Sequence, residues 1–420
     1  MTARLREELS ALAETHPFSP DPSAWDRGRR ARRRDHALRG AAVLAVVALV
    51  VGLGTLLAPD REARTASTDV VEGGAIPSRI VDIDGGLEAT TDLAVGRASA
   101  AFISASQDDP VVITAMDGVP HRLALPGWGT GNQGLSLSPD GTRLAWHDQD
   151  SGQATIAVLE LMTGGITRHQ VHPDGDLALR ELSWSPDSVW LAWLGDTEGG
   201  AYVGRLRPVF AVLDDNWFVR GNVPGVAVRS DAGLVFSRAS GGLFSFDDRG
   251  RPAQLSDADQ VGAGAFSPDG AMLALRTSPG TASRTFRWAG RTIVEHPFPD
   301  ATFDRGAVIP LGWLDVRHQL LQVWSDEDSP AELVVATPEV GETSTWRRSV
   351  GSIDASIAGR VSLAVDLVPD LDGTSWQQLT HDFGERTEDE RDFSWIIGLG
   401  VAAAIAVLLG LRRLWRRLRP

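Results

Sequence analysis

One ten-residue pattern recurs along this chain and limits what the chain can fold into. Leu137-Ser138-Pro139-Asp140-Gly141-Thr142-Arg143-Leu144-Ala145-Trp146 returns as Trp184-Ser185-Pro186-Asp187-Ser188-Val189-Trp190-Leu191-Ala192-Trp193. It returns again as Phe266-Ser267-Pro268-Asp269-Gly270-Ala271-Met272-Leu273-Ala274-Leu275. Each copy reads as the end of an apolar strand, a tight turn and a second apolar strand. Proline presets φ near −65°, aspartate can bond its own backbone, and glycine accepts positive φ, so Ser-Pro-Asp-Gly makes a hairpin corner. A hairpin with an apolar face must hide it against a neighbour, which is why the unit repeats.

Looser copies fill the gaps, with Asp231 before Gly233-Leu234-Val235-Phe236 and Asp315 before Leu320-Leu321-Gln322-Val323. Aspartates 140, 187, 231, 269 and 315 are spaced by 47, 44, 38 and 46 residues, at or close to the roughly 40–50 residues of a four-stranded propeller blade. One interval outward lie Val95-Gly96-Arg97-Ala98-Ser99-Ala100-Ala101-Phe102 and Ala358-Gly359-Arg360-Val361-Ser362-Leu363-Ala364-Val365, which resemble each other. Seven modules are thereby expected, with six as the alternative count.

The three full copies resemble the TolB-type, WD-repeat-like propeller repeat, with its aromatic-Ser-Pro-Asp-Gly-x-x-Leu-Ala-aromatic signature. The resemblance covers residues 78–383 and implies an all-β propeller used mainly for binding and scaffolding. It implies no catalytic set, because Ser138, Pro139, Asp140, Ser185, Pro186, Asp187, Asp231, Ser267, Pro268, Asp269 and Asp315 read as residues that build turns.

Charge decides the rest of the layout. The chain has 420 residues, a net charge of −15, no cysteine, and arginine for all 40 basic residues. Without cysteine there is no disulfide, thiolate metal site or cysteine nucleophile. Residues 1–39 carry a net +3 and 412–420 a net +5, leaving −23 on the middle. Such an acidic body is a poor partner for phosphate backbones, so no nucleic-acid partner is expected. The basic ends flank two uncharged apolar runs, 40–59 and 393–411, of twenty and nineteen residues. Runs of that length cross a bilayer core of about 30 Å, and arginine beside them marks the cytoplasmic side.

The expected organisation follows. Residues 1–39 are an Arg-rich cytoplasmic leader, 40–59 a transmembrane helix and 60–77 a polar linker. Residues 78–383 form an extracytoplasmic propeller and 384–392 a charged tether. A second transmembrane helix, 393–411, precedes a basic cytoplasmic tail, 412–420. A cleaved signal peptide fits 40–59 less well, because the leader is long and the cleavage candidates are poor.

Within the leader, residues 2–16 read as a short amphipathic helix carrying Leu5, Leu9 and Leu12 on one face. That stripe is the candidate docking face for a cytoplasmic protein. The layout resembles membrane proteins of high-GC bacteria that accompany alternative sigma factors, although a cysteine-based anti-sigma zinc site is excluded.

Other motifs carry little chemistry. The glycines of 129–134 match a dinucleotide pattern but are followed by a strand rather than a helix. His169 and His172 lack a third placed metal ligand. Asp148-Gln149-Asp150 and Asp370-Leu371-Asp372 lack the later glutamate of a helix–loop–helix calcium site. No Gly-x-Ser-x-Gly elbow is present. No cofactor, metal or catalytic residue is expected. The reading is a protein- or ligand-binding sensory module in the bacterial plasma membrane, its partners the lipid bilayer and an unidentified protein. The alternatives are an envelope scaffold without signalling and, less favoured, a propeller hydrolase. A last expectation is that 78–84 supplies the closing strand of the blade containing 358–383.

Overall fold

The computed structural model describes residues 70–384, apart from 84–85, 130, 133, 174–176, 211, 248–249, 258–260, 278–283, 290–291, 298–306, 325–328, 339–346, 360 and 375. Both apolar spans, the leader helix with Leu5, Leu9 and Leu12, and most of the charged tether lie outside the described residues. Among the described residues, no helix is long and apolar enough to cross a membrane.

The Ser-Pro-Asp corners sit where the sequence places them, between the first and second strands of a blade. Blade 2 runs β5 (Leu135–Leu137), β6 (Arg143–Asp148), β7 (Ala154–Glu160) and β8 (Gly165–His172). Blade 3 runs β9 (Ala178–Trp184), β10 (Leu191–Thr197), β11 (Gly200–Arg207) and β12 (Val212–Arg220). Blade 4 has β13 (Val226–Val228), β14 (Leu234–Ser237), β15 (Leu243–Phe246) and β16 (Pro252–Ser256). Blade 5 has β17 (Val261–Phe266), β18 (Met272–Thr277), β19 (Arg284–Ala289) and β20 (Thr292–Pro297). All of these pair antiparallel.

The two remaining sheets join the ends of the chain. Blade 1 takes its innermost strand, β25 (Val361–Leu363), from the C-terminal side and β2 (Ala98–Ile103), β3 (Pro110–Thr114) and β4 (Pro120–Arg122) from the N-terminal side. Blade 6 is β21 (Ala307–Trp313), β22 (Gln319–Trp324), β23 (Ala331–Ala336) and β24 (Arg347–Ile353), with β1 (Arg79–Ile80) added in parallel as a fifth strand. The described strands thus form five sheets of four strands and one of five. The innermost strands pack in the order β25, β5, β9, β13, β17, β21 and back to β25, closing a ring.

This arrangement corrects two expectations. Seven modules become six sheets because the resembling segments 95–102 and 358–365 are two strands of one blade. Ala100 faces Leu363 and Phe102 faces Val361 in an antiparallel pair. Elsewhere a corner turn joins the first and second strands, but here the chain begins on one side of the pair and ends on the other. The two resembling half-modules thus make one blade. Residues 78–84 also do not join the blade of β25. Arg79 and Ile80 pair with Ser352 and Ile353 of blade 6 instead, which leaves β25 to close the ring. Closure protects an inner edge that would otherwise be open.

The second strand of a blade reads as a continuous apolar run because neighbouring blades cover both its faces. Leu144, Ala145, Trp146, Leu191, Ala192 and Trp193 are all 0% exposed. The largest cluster of buried residues spans the closure, joining Ile76, Ile80, Phe102, Trp146, Ile353, Leu363 and Leu379. Residues 71–77, expected to be linker, belong to the body: Val71 donates its amide to Met116 O at 2.9 Å, and Ile76 is fully buried.

Candidate functional site

The corner residues share one hydrogen-bond pattern. Ser138 Oγ donates to Asp140 Oδ1 at 2.5 Å, that oxygen accepts the Thr142 amide at 3.0 Å, and Ser138 Oγ accepts the Arg143 amide at 2.9 Å. In blade 3, Ser185 and Asp187 repeat it with the amides of Trp190 at 2.9 Å and Val189 at 3.2 Å. In blade 5, Ser267 and Asp269 repeat it with Met272 and Ala271, both at 2.9 Å. Pro139, Pro186 and Pro268 stand between the paired serine and aspartate, as the second turn residue. All three serines are fully buried.

The looser corners keep the aspartate and change its partner. Asp231 accepts the Gly233 amide on Oδ1 at 3.0 Å and pairs through Oδ2 with Arg229 at 2.8 Å. Asp315 accepts the amides of Arg317 at 2.7 Å and His318 at 2.8 Å, and its second oxygen meets the His318 ring at 2.7 Å.

These corners also hold one blade to the next. The Asp140 amide donates to Ser188 Oγ at 3.1 Å, and Arg143 Nη1 donates to Ser188 O at 2.8 Å. Arg97 Nε donates to Asp140 O at 2.6 Å. The indoles of Trp184 and Trp313 donate to Ser136 O at 3.2 Å and Ala265 O at 2.9 Å, each on the inner strand of the preceding blade. With these carboxylate oxygens engaged by turn amides and hydroxyls, the corners serve the frame of the ring.

Among the described residues, a carboxyl displaced upward sits elsewhere, on innermost strand β9, where sequence reasoning did not look. Glu181 Oε1 accepts the amide of Val226, the first residue of β13, at 3.1 Å. Its neighbour Arg180 donates to Val223 O and pairs with Asp196 at 2.8 Å. Ser183 Oγ donates to Gly264 O of β17 at 3.3 Å. Desolvation raises the Glu181 carboxyl most; the Val226 amide, Arg180 and Arg276 pull it down, and Asp196 raises it further. The balance is a carboxyl pushed up to about 7. In the sequence, only the acidic residue inside Ala178-Leu179-Arg180-Glu181-Leu182, on a strand heading for the ring centre, hinted at it.

A second feature is where the chain joins and leaves the body. Residues 76–78 run beside His381 in a parallel bridge. The Ser78 amide donates to His381 O and the His381 amide to Ile76 O, both at 2.8 Å. Incoming Val71 bonds Met116, and the ring of outgoing Phe383 covers Gly118, where a Cβ would collide with it. Both ends of the described body therefore rest on the single β3–β4 turn, 115–119. Val70 and Met116 there are 62% and 51% exposed.

The motifs set aside in the sequence have structural roles. The loop at 129–134 bonds protein groups: Gly131 donates to Asp108 Oδ2 at 2.6 Å and Asn132 Nδ2 to His147 O at 2.7 Å. His169 is buried, and desolvation holds its ring below the ordinary histidine value despite a backbone contact at Pro208. His172 packs instead on Tyr202, with ring centroids 4.3 Å apart. Asp148 pairs with Arg168 at 2.6 Å, and Asp372 accepts the amide and hydroxyl of Thr374 within its own turn. Among the described residues, no group of three or more His, Asp or Glu is placed to hold a metal ion.

No protein-family model matches the chain, and no curated protein matches it in sequence. Solved propellers do resemble it in fold. It is similar to TolB from Acinetobacter baumannii at 14% identity and a TM-score of 0.36, over 57% of this chain and 63% of that one. It is similar to the Cps50 (Swd1) β-propeller domain of Myceliophteria thermophila at 13% identity and a TM-score of 0.40, over 55% and 74%. Similarity to the β-propeller domain of the Trilobed protease from Pyrococcus furiosus stands at 14% identity and a TM-score of 0.40, over 58% and 74%. Likeness at this level does not extend to activity. The chain is a β-propeller by its own strand order and ring closure.

Proposed function

We propose that the chain is a membrane-tethered binding module. The propeller stands outside the plasma membrane and receives an envelope protein or ligand, while residues 2–16 reach a cytoplasmic partner such as a sigma-factor system through Leu5, Leu9 and Leu12. The observation that carries this reading is the shared seat of Val71 and Phe383 on the turn at 115–119. A body held from two spans gains a fixed orientation when both connections leave from one place. The lengths of the connections agree, since 60–69 and 385–392 are ten and eight residues and reach at most about 3.3–3.6 Å per residue. The corners, occupied with blade packing, favour binding over catalysis.

Co-purification from solubilised membranes tests it. The full chain should recover envelope proteins through the propeller and cytoplasmic proteins through the leader, and deleting residues 2–16 should remove only the second set. Recovery of neither set overturns the sensory reading and leaves an envelope scaffold.

A further inference from the structure

We propose that the corner face of the propeller docks on the bilayer: exposed turn tips insert apolar side chains into the headgroup region and hold the ring against the membrane. This rests on the membrane-tethered reading and adds to it which face of the ring meets lipid.

One face of the ring carries the Ser-Pro-Asp corners together with the β3–β4, β7–β8 and β11–β12 turns. The Ala115 amide donates to Arg97 O and the Ala98 amide to Gly141 O, both at 2.8 Å, and the Leu161 amide donates to Thr142 O at 2.9 Å. In blade 3, Leu191 pairs with Leu206, which sets the corner beside Pro208. In blades 1, 2 and 3 these outer turns present Met116, Met162 and Val209, the last two 58% and 62% exposed. Val316 is exposed in the blade 6 corner. Trp376, 82% exposed, precedes Gln377, whose carbonyl accepts Arg348 near the end of β24 that lies on this face.

The opposite face differs in kind. Its turns in blades 1 to 4 are 104–109, 149–153, 198–199 and 238–242. They read Ser-Ala-Ser-Gln-Asp-Asp, Gln-Asp-Ser-Gly-Gln, Glu-Gly and Arg-Ala-Ser-Gly-Gly, with no apolar side chain larger than alanine. Blade packing does not require methionine or valine at an exposed tip, so the fold alone does not account for the contrast. Exposed apolar groups gathered on one side mark a surface for protein or lipid.

The course of the chain favours lipid. Val71 and Phe383 rest on the 115–119 turn, on this same face, and Val70 is exposed beside Met116. From there ten residues, 60–69, lead back to the uncharged run 40–59, and eight, 385–392, lead on to 393–411. Connections that short keep this face near the bilayer, so its contact with lipid is intramolecular and a few weakly inserting tips suffice. Tryptophan belongs at that depth, with an apolar body and a polar N–H. The aspartates of the corners repel anionic lipid, so the contact is apolar rather than charge-driven. The polar turns of the opposite face then point away from the membrane, open to an envelope partner.

Single-cysteine labelling of the full chain, reconstituted in phosphatidylcholine vesicles, tests this, because the chain has no cysteine of its own. Met162→Cys and Val209→Cys on the docking face, and Glu198→Cys on the other, each carry a fluorescent thiol label. Phosphatidylcholine bearing a nitroxide near the headgroup should quench the labels at 162 and 209 and spare the one at 198, and aqueous iodide should do the reverse. Two positions on separate blades keep the result independent of how one variant folds. Flotation of the same vesicles reads the tether separately. A chain that floats while its labels at 162 and 209 answer only to iodide overturns the docking, leaves the tether, and frees this face for a protein. Equal lipid quenching at all three positions also overturns it. A chain that does not float overturns docking and tether together.

Discussion

Pro77 and His381 lie side by side in a parallel bridge, flanked by the Ser78 amide on His381 O and the His381 amide on Ile76 O, each 2.8 Å long. The incoming and outgoing chains are thus stitched to each other as well as to the ring. Force on either connection meets the contacts of Val71 and Phe383 with the 115–119 turn and then this bridge. The outgoing strap is also part of the core, since Leu379 is 3% exposed within the cluster that spans the closure.

Leu379→Ala should accordingly destabilise the propeller by about 2–5 kcal/mol, the range for a leucine truncated in a core. The urea midpoint of the full chain is the measurement. A change below about 0.5 kcal/mol, typical of a surface position, would show that the strap does not contribute to folding.

The corner glycines should differ sharply. Gly141 has φ 72° and a Cβ there would collide with Ala98 O, a backbone atom of the neighbouring blade. Gly270 has φ 66°, but its Cβ would meet only the side-chain end of Arg229 at 3.2 Å. Gly270→Ala should cost about 1–2 kcal/mol for the left-handed backbone alone, and Gly141→Ala clearly more. Equal losses in thermal unfolding would count against the blade-to-blade contact.

Asp187→Ala removes the acceptor of Ser185 Oγ and of the Val189 amide. Leaving a buried hydroxyl unpaired costs about 1–3 kcal/mol. Melting temperature should fall while binding of any co-purifying partner, measured well below the transition, is retained.

Acid should loosen blade 6 through Asp315. Desolvation alone would raise this carboxyl, but the amides of Arg317 and His318 and the His318 ring together hold it below its ordinary value of 3.8. A depressed folded value means the contribution is complete above the unfolded value and is lost as pH falls through the folded one. Asp315→Asn should flatten the acid limb of stability below pH 3.8 and leave its shape near neutrality unchanged. An acid limb identical to wild type would remove Asp315 from the acid response.

Topology has a direct assay because the chain has no cysteine. Single cysteines at Ser67 and Ser10 should divide: an impermeant thiol reagent on intact cells labels Ser67→Cys and spares Ser10→Cys. Labelling at position 10 reverses the proposed orientation.

The leader makes the last prediction. Membranes carrying Leu5→Asp with Leu9→Asp should lose the cytoplasmic proteins that the native leader recovers. Identical recovery, or none from either, removes the recruiting role.

Local chemistry made much of this protein legible in its sequence. Proline, aspartate and glycine within a few contiguous residues specify a corner, and Leu144-Ala145-Trp146 or Leu191-Ala192-Trp193 specifies a strand covered on both faces. The propeller follows from their repetition. The tertiary structure decided how many blades there are and which ends meet. Leu137 and Ser362, 225 residues apart, exchange hydrogen bonds through amide, hydroxyl and carbonyl, and no local pattern encodes a partner at that distance. Ring closure selects β25 for blade 1 because it leaves no inner edge unpaired, and so turns two resembling half-modules into one sheet. Glu181 stayed hidden for the same reason. As one carboxylate among the 55 acids of the chain it is unremarked in sequence, and only the tertiary structure sets it beside the Val226 amide of β13.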